Sequence, residues 1–362
     1  MNTPTPVRES SGIWLVAERE ITSKLRSKPF LISTGILMLL ALAGVLFAGF
    51  SGGAAEATPV AVTPDTVAVV SALPDVAVTE VADRTSAEDL VRSGDVDAAV
   101  VASDSAVGYA VIALDSPPRS LVSALSQTPE IVSLEPAETD PLLRYFVSIG
   151  FGIVFMLAAT IFGGTIAQSV VEEKQTRVIE LLISTIPARA LLAGKVIGNT
   201  VLAMGQIVAL AAIAIVGLMV TGQNMLLQVL GGPIIWFAVF FLFGFVLLAA
   251  MFAAAAAMVS RQEDVGSTTM PITMLVMMPY FLVIFFNDNP VVLTVLSYVP
   301  FSAPVGMPMR LFVGEAAWWE PLLSLAILLV SCVVAIRLGA KIYENSLLRM
   351  GGRVKLGEAL RG

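Results

Sequence analysis

The feature that most constrains the fold is a run of 65 consecutive residues, Val196 to Ser260, without a single Asp, Glu, Lys or Arg. A helix crosses a bilayer with about 20 mostly apolar residues, so this run is too long for one span. Turn-forming sequences at 221–224 (TGQN) and 231–233 (GGP) divide it into two. With 57% hydrophobic and only 14% charged residues in the whole chain, it predicts an integral membrane protein.

The same length criterion predicts six transmembrane helices. The first covers residues 30–50, the second 143–171, the third to fifth 196–286 and the sixth 320–340. A cleavable signal peptide is the alternative for the first helix, because AEA at 55–57 resembles a cleavage site. Its apolar stretch is longer than the roughly 7–15 residues of a signal peptide, which favours a retained span.

Charge is segregated along the chain. Residues 51–142 carry fifteen acidic residues against three arginines, a net charge of −12, whereas the remainder has a net charge of +5. We therefore predict an acidic extracytoplasmic domain at 51–142. Its valine-rich segments predict α/β structure, with strands at 66–71, 97–103 and 107–114 and a helix at 86–94.

Positive charge predicts the orientation in the membrane. With the N-terminus inside, sixteen of the twenty-one Lys and Arg residues fall in cytoplasmic segments. Both termini are then cytoplasmic in a bacterial-type plasma (inner) membrane, with an amphipathic interfacial helix at 1–29 and a tail at 341–362. A loop at 172–195 is cytoplasmic, and 287–319 is an extracytoplasmic re-entrant segment. The predicted fold is an all-α membrane protein of six transmembrane helices, with the α/β domain inserted between helices 1 and 2.

The residue types exclude several chemistries. The chain has no histidine and one cysteine, Cys332, which removes Ser–His and Cys–His catalysis and His-ligated zinc. AGKV at 193–196 fails as a phosphate loop, because Arg189 and Val196 occupy the positions that require Gly and Ser or Thr. We predict no catalytic site, no metal site and no cofactor on this chain, and nothing points to nucleic acid.

One charged segment interrupts the apolar sequence between the second and third spans. Glu173 and Arg177 are spaced i,i+4, Arg177 and Glu180 are spaced i,i+3, and Pro187 ends the stretch. This predicts a short, rigid amphipathic helix that projects into the cytoplasm and contacts a partner mechanically. An ordinary loop helix is the alternative.

The chain resembles permeases of the ABC-2 transporter family, in the sodium-export branch. The resemblance rests on the segments 13–33, 172–198, 298–320 and 339–360, and on the large insert after the first span. The STIP sequence at 184–187 departs from the Ser-Pro pair that the family often has.

That resemblance implies one half of an exporter that works by alternating access. A separate P-loop ATPase subunit, which carries the ATP and Mg, would dock on the segment the family calls a coupling helix, and a second permease subunit would complete a homo- or heterodimer. The implied ATPase-coupling residues are Glu172, Glu173, Lys174, Arg177, Glu180, Leu181, Leu182, Ser184, Thr185 and Ile186. We expect a second, smaller contact at Arg261, Glu263 and Asp264. Family members export sodium, drugs, peptides or lipid-like compounds, so no substrate follows.

Four methionines share one face of the predicted fifth span: Met270, Met274, Met277 and Met278. Flexible, polarizable methionine suits an adaptable substrate path, and plain helix packing is the alternative.

Two other classes of function stay open at this point. A stand-alone channel or secondary carrier would transport without an ATPase, although no charged residue lies at a span centre to serve as its ion pathway. A membrane-anchored sensor or assembly protein would use the acidic insert to capture an external ligand. Transport in vesicles with and without an ATPase separates a permease from a channel or carrier.

Overall fold

Six long apolar helices dominate the computed structural model. It describes residues 9–51, 57–73, 76–103, 107–114, 117–125, 141–176, 185–347, 354 and 356–361. Within these residues, six helices are long and apolar enough to cross a membrane, with mean hydropathies of 1.8 to 2.7 over their most apolar windows. The predicted fold class is confirmed, including a small α/β region between the first and second spans.

The spans are numbered in chain order. Span 1 is α2 (Lys28–Ser51), and it follows α1 (Glu9–Leu25). Spans 2 to 6 are α6 (Pro141–Gln175), α7 (Ala188–Val220), α8 (Asn224–Ala257), α9 (Gln262–Phe285) and α12 (Glu320–Leu347). Several extend beyond the predicted limits, because helix continues past the apolar segment into charged sequence at the ends.

Aromatic side chains join spans 2 and 4. Three ring pairs have centroids 4.9 to 6.1 Å apart: Phe151 with Phe237, Phe155 with Phe241, and Phe162 with Phe245. Ring pairs at such distances add stabilisation beyond their buried area. These rings are buried and fix spans 2 and 4 side by side in the centre of the membrane unit.

The helix α1 packs tightly on the beginning of span 3. A methyl group at Gly198 would lie 2.9 Å from the backbone oxygen of Ala17, so the missing side chain is what allows the close approach. Val16 and Ala17 are buried in this contact, whereas Trp14 and Leu25 are 61% and 52% exposed. The protein therefore covers one face of α1 and leaves apolar side chains on another.

Two short helices connect spans 5 and 6: α10 (Pro290–Tyr298) and α11 (Ala303–Val313). Both are too short to cross a bilayer. Arg310 of α11 is buried and donates to Ser297 Oγ (3.0 Å) and to the Glu320 carboxylate (2.9 Å). This buried ion pair ties α11 to the start of span 6. A last short helix, α13 (Leu356–Arg361), follows span 6.

Residues 47–136 form a separate compact unit. Its strands are β1 (Thr58–Val62), β2 (Val76–Glu80), β3 (Ala98–Ala102) and β4 (Tyr109–Ile112), arranged in the order β2-β1-β3-β4. β1 pairs in parallel with β2 and β3, and β4 is antiparallel to β3. The helices α3 (Val67–Val70), α4 (Arg84–Ser93) and α5 (Arg119–Leu125) lie in the same unit.

The local predictions for this unit were partly correct. Strands were predicted correctly at 97–103 and 107–114, but the strand at 66–71 was wrong, because Val67–Val70 forms one helical turn. The Thr66 hydroxyl, which donates to the backbone oxygen of Val100 (2.7 Å), fixes that turn beside β3. The helix predicted at 86–94 begins two residues earlier, at Arg84, because the Asp83 side chain accepts the capping hydrogen bond from the backbone N–H of Ser86, and it is capped by Gly94 at its end.

The close contact of spans 2 and 4 gives a matched pair of substitutions. A methyl group at Gly163 would overlap the buried ring of Phe252, whereas one at Gly164 meets no atom within 4 Å. We expect Gly163→Ala to destabilise the protein by about 1–3 kcal/mol through overpacking. Gly164→Ala should be neutral, or stabilising by up to about 1 kcal/mol through its better helix propensity. Thermal unfolding of both variants in the same detergent measures the difference, and equal melting temperatures would contradict this packing.

Candidate functional site

A buried lysine lies at the predicted cytoplasmic end of the membrane unit. Lys195, in span 3, is fully buried, and its ammonium group lies 2.9 Å from Glu20 Oε1 and 3.0 Å from Glu173 Oε2. The Glu20 contact is a hydrogen bond, whereas the Glu173 contact is an ion pair without hydrogen-bond alignment. Lys195 also donates to Ser169 Oγ at 2.6 Å. Three helices, α1, span 2 and span 3, therefore meet at one ammonium group.

Two further contacts complete this group of residues. Ser169 Oγ donates to Glu20 Oε1 at 3.1 Å, and Arg19 Nη2 donates to Glu173 Oε1 at 2.9 Å. Two cations thus balance the two buried carboxylates, one of them the fully buried Lys195 and the other the half-exposed Arg19. We call Arg19, Glu20, Ser169, Glu173 and Lys195 the Lys195 cluster.

Glu20 lies in α1, outside the spans, and is one of the two buried carboxylates of the Lys195 cluster. Burial works to raise its pKa, but the ammonium group of Lys195 and the hydrogen bonds from Lys195 and Ser169 outweigh it. The pKa of Glu20 is therefore held below its ordinary value of 4.5, and the carboxylate is ionised at neutral pH. An ionised Glu20 keeps α1 attached to span 3.

A second buried lysine joins three span ends. Lys174 is fully buried and donates to the backbone oxygens of Ala257 (2.8 Å) and Ser346 (2.9 Å). These carbonyls belong to the last turns of spans 4 and 6, where helix ends leave acceptors unpaired and favour a positive charge. Lys174 thus ties the end of span 2 to the ends of spans 4 and 6.

The described ends of the segment predicted to form a coupling helix adjoin span 2 and span 3, which carry these lysines. Glu172 to Gln175 continue span 2 as its last turn, and span 3 begins at Ala188. Glu172 and Thr185 are exposed, and Ile186 lies against Gly12 of α1. Five predicted residues fall outside the described part of the chain: Arg177, Glu180, Leu181, Leu182 and Ser184.

Two of the predicted contact residues need a different interpretation. Glu173 and Lys174 were selected as docking residues, but they are only 6% and 0% exposed. Their charged groups are engaged inside the protein, with Lys195 and Arg19 in one case and with backbone oxygens in the other. They fix the end of span 2, after which the chain continues into the segment 176–187, and they offer no free charge to a partner.

The residues predicted for a smaller contact lie between spans 4 and 5. Arg261 and Glu263 form an ion pair of 3.2 Å, with both side chains 71% exposed. Glu263 and Asp264 lie in the first turn of span 5, where a negative charge interacts favourably with the helix dipole. This pair follows Ala257 closely in the chain, so it lies at the same end of the membrane unit as Lys174.

The methionines of span 5 point away from the interior of the chain. Met270, Met274 and Met278 are 53%, 43% and 64% exposed, and Met277 is half-buried. A single chain does not enclose them. A substrate path along this face would need a second wall.

Sequence reasoning missed the pairing within the Lys195 cluster. Two signals were available: Lys195 is the last charge before the uncharged run, and Glu20 shares a helix face with Val16 and Ala17. Each marks a charge that must be buried if its neighbours are buried. The identity of the partners, which are separated by about 150 residues along the chain, comes from the fold.

One comparison with known proteins identifies a family, and another gives two relatives of uncharacterized function. A profile described as "ABC-2 family transporter protein" matches residues 28–341. "Uncharacterized protein YhaP" of Bacillus subtilis is 26% identical over 267 residues, which cover 70% of this chain and 64% of the relative. "Uncharacterized protein MJ1024" of Methanocaldococcus jannaschii is 27% identical over 219 residues, which cover 60% of this chain and 53% of the relative. The chain thus spans less than two thirds of both relatives, and no solved structure matches it significantly.

Removing the central charge should be costly. Lys195→Met leaves two buried carboxylates without their shared cation, and we expect a loss of about 3–5 kcal/mol in the free energy of unfolding. The control is Arg189→Met, because Arg189 pairs with Glu344 on the surface and is 70% exposed. Loss of that pair should cost less than about 1 kcal/mol. Unfolding in mixed detergent micelles measures both, and similar losses would contradict the assigned role of Lys195.

The attachment of α1 should also depend on pH. Because the folded-state pKa of Glu20 is lowered, the stability that its ionised carboxylate gives to the attachment of α1 is fully present above pH 4.5. That stability is lost as the pH falls through the lower folded-state pKa. Hydrogen-exchange protection of α1, corrected for the intrinsic rate, should therefore fall in acid. Glu20→Gln should reduce the hydrogen-exchange protection of α1 at neutral pH, and the remaining protection should change less when the pH is lowered. An unchanged profile in that variant would exclude Glu20 as the source.

Proposed function

The chain belongs to the ABC-2 family of transporter proteins, and from this premise we propose that it exports a substrate with energy from a separate ATPase subunit. Membership makes it a membrane permease of an ABC transporter, from a family whose members lack an ATPase site of their own. The direction of transport, the docking site and the mechanism are the proposal.

The observation that carries the proposal is the position of the Lys195 cluster. It joins the end of span 2 to the start of span 3, so it flanks the segment 176–187 on both sides. Ile186 at the end of that segment also lies against α1. A partner that pushes on this segment would move two spans and α1 together, because buried ion pairs resist separation.

Lys174 extends the same connection to the rest of the bundle. Its two hydrogen bonds reach the ends of spans 4 and 6, so a displacement of the end of span 2 changes their environment directly. In the proposed cycle, ATP binding draws two ATPase subunits together and shifts the spans between inward- and outward-facing states. Packed helices switch between discrete arrangements more readily than they deform, which suits such a cycle.

The assembly that follows has two permeases and two ATPases in a bacterial-type inner membrane, with both termini of the permease in the cytoplasm. A second permease, identical or different, would supply the missing wall beside the exposed methionine face of span 5. The exposed Arg261–Glu263 pair would form the smaller contact with the ATPase. Membership of the sodium-export branch stays a prediction, and no cargo is assigned.

Lysine substitutions on the exposed part of the docking segment, one reversing a charge at Glu172 and one adding a charge at Thr185, test the proposal. We expect Glu172→Lys combined with Thr185→Lys to weaken co-purification of the co-expressed P-loop ATPase by roughly tenfold, the size expected for mismatched interface charges. Both side chains are exposed, and co-purification is normalised to the amount of permease inserted in the membrane, so a loss of insertion is not counted as a loss of docking. Glu173 is unsuitable for this purpose, because its reversal would also break the Lys195 cluster.

The matched control is Glu358→Lys, an exposed charge reversal in the tail that should leave ATPase binding at the wild-type level. Undiminished co-purification with the double variant would remove the segment as the docking site. Transport in vesicles that contain this chain and no ATPase would instead support a channel or carrier.

A further inference from the structure

Gln206 is a polar side chain in the middle of the membrane. It lies near the centre of the uncharged part of span 3, residues 196–220, and is only 6% exposed. None of the described residues hydrogen-bonds to its amide, and the amide atoms are not sealed in the interior but reach accessible surface. An amide without a partner in an apolar environment is unfavourable, so a hydrogen-bonding partner from outside the chain is favoured.

The Gln206 side chain faces a cavity between spans 1, 2 and 3. The cavity has a volume of about 180 Å³. Leu157 and Ile161 of span 2 form one wall, and Ser33, Thr34 and Leu40 of span 1 form part of another. The Ser33 hydroxyl donates to the backbone oxygen of Phe30, so it is already engaged. The lining is therefore apolar apart from a few neutral hydrogen-bonding groups.

The cavity opens sideways. Ile36, Leu40 and Ile161 line it and are also 53%, 65% and 41% exposed, which places its mouth on the surface that faces lipid. A molecule dissolved in the bilayer can enter without crossing the protein. The space between three helices of one chain is too small for another helix, whose diameter is about 10–12 Å with side chains.

We propose that this cavity binds one small, neutral amphipathic molecule from the bilayer. An apolar body would fill the space between Leu40, Leu157 and Ile161, and a hydroxyl or carbonyl group would hydrogen-bond to the Gln206 amide. The charge of the lining sets this chemistry: it contains no Lys, Arg, Asp or Glu, so an ionised group would enter unpaired. This site is separate from the Lys195 cluster and does not depend on the ATPase.

Photolabelling of the chain alone tests the site. The probe is octanol carrying a diazirine, added to proteoliposomes that contain this chain without any ATPase and mapped by mass spectrometry. Adducts should concentrate on peptides around Leu157 and Ile161, and unlabelled octanol should compete with them. In Gln206→Leu, which loses the hydrogen bond, these adducts should fall by about tenfold.

Three comparisons make the result decisive. Gln228→Leu, the same substitution at an exposed position of span 4, should label like wild type. Ile161→Phe, which keeps the amide but fills the space, should lose the adducts. Gln206→Leu should also raise the apparent melting temperature without ligand, because it replaces an amide that has no partner within the described part of the chain with an apolar side chain in an apolar cavity.

Three outcomes would overturn the inference. Adducts spread evenly over all lipid-facing spans would show that no site exists. Unchanged labelling in Gln206→Leu or Ile161→Phe would remove the amide or the cavity from recognition. A lower melting temperature for Gln206→Leu would show that the amide stabilises the chain itself. None of these results bears on ATPase docking, so the two proposals fail separately.

Discussion

Lys195 carries a positive charge where water does not reach it, and this single constraint organises the predicted cytoplasmic end of the protein. A buried ammonium group requires nearby carboxylates, and Glu20 and Glu173 are placed to supply them. Glu20 brings α1 onto span 3, and Glu173 brings the end of span 2 there. The two glycines of span 3 that face α1, Gly194 and Gly198, allow the approach that these ion pairs need.

The helix bundle has ionised groups at its two ends and an apolar middle. The contacts in these three regions determine which helices would move together. At one end the Lys195 cluster and Lys174 connect α1 with spans 2, 3, 4 and 6. At the other, Arg310 and Glu320 fasten α11 to span 6. Between them, spans 2 and 4 pack through aromatic rings. In the proposed mechanism, a push on the segment 176–187 would be transmitted through these packed helices to the opposite, predicted outer end of the bundle.

The sequence predicted those parts of the fold that depend on local composition. The six apolar spans and the α/β insert between the first two follow from apolar length and valine-rich segments, and the structure confirms this fold class. The strand at 66–71 failed because β1 and β3 already form the centre of the sheet, so residues of high strand propensity make a helical turn instead. The roles of Glu173 and Lys174 could not be predicted, because their burial depends on contacts with α1 and the ends of spans 4 and 6.

The central claim is that α1 and span 3 are held as one body by the Lys195 cluster. Double electron–electron resonance measures this most directly, as the distance between two spin labels in a Cys332→Ser background. The labels are attached at Thr22→Cys and Val208→Cys, which are both exposed positions. The account predicts a narrow distance distribution that is unchanged when the ATPase and a non-hydrolysable ATP analogue are added, and a broad one in Lys195→Met. An equally narrow distribution in that variant, or an ATP-dependent shift in the wild-type protein, would contradict it.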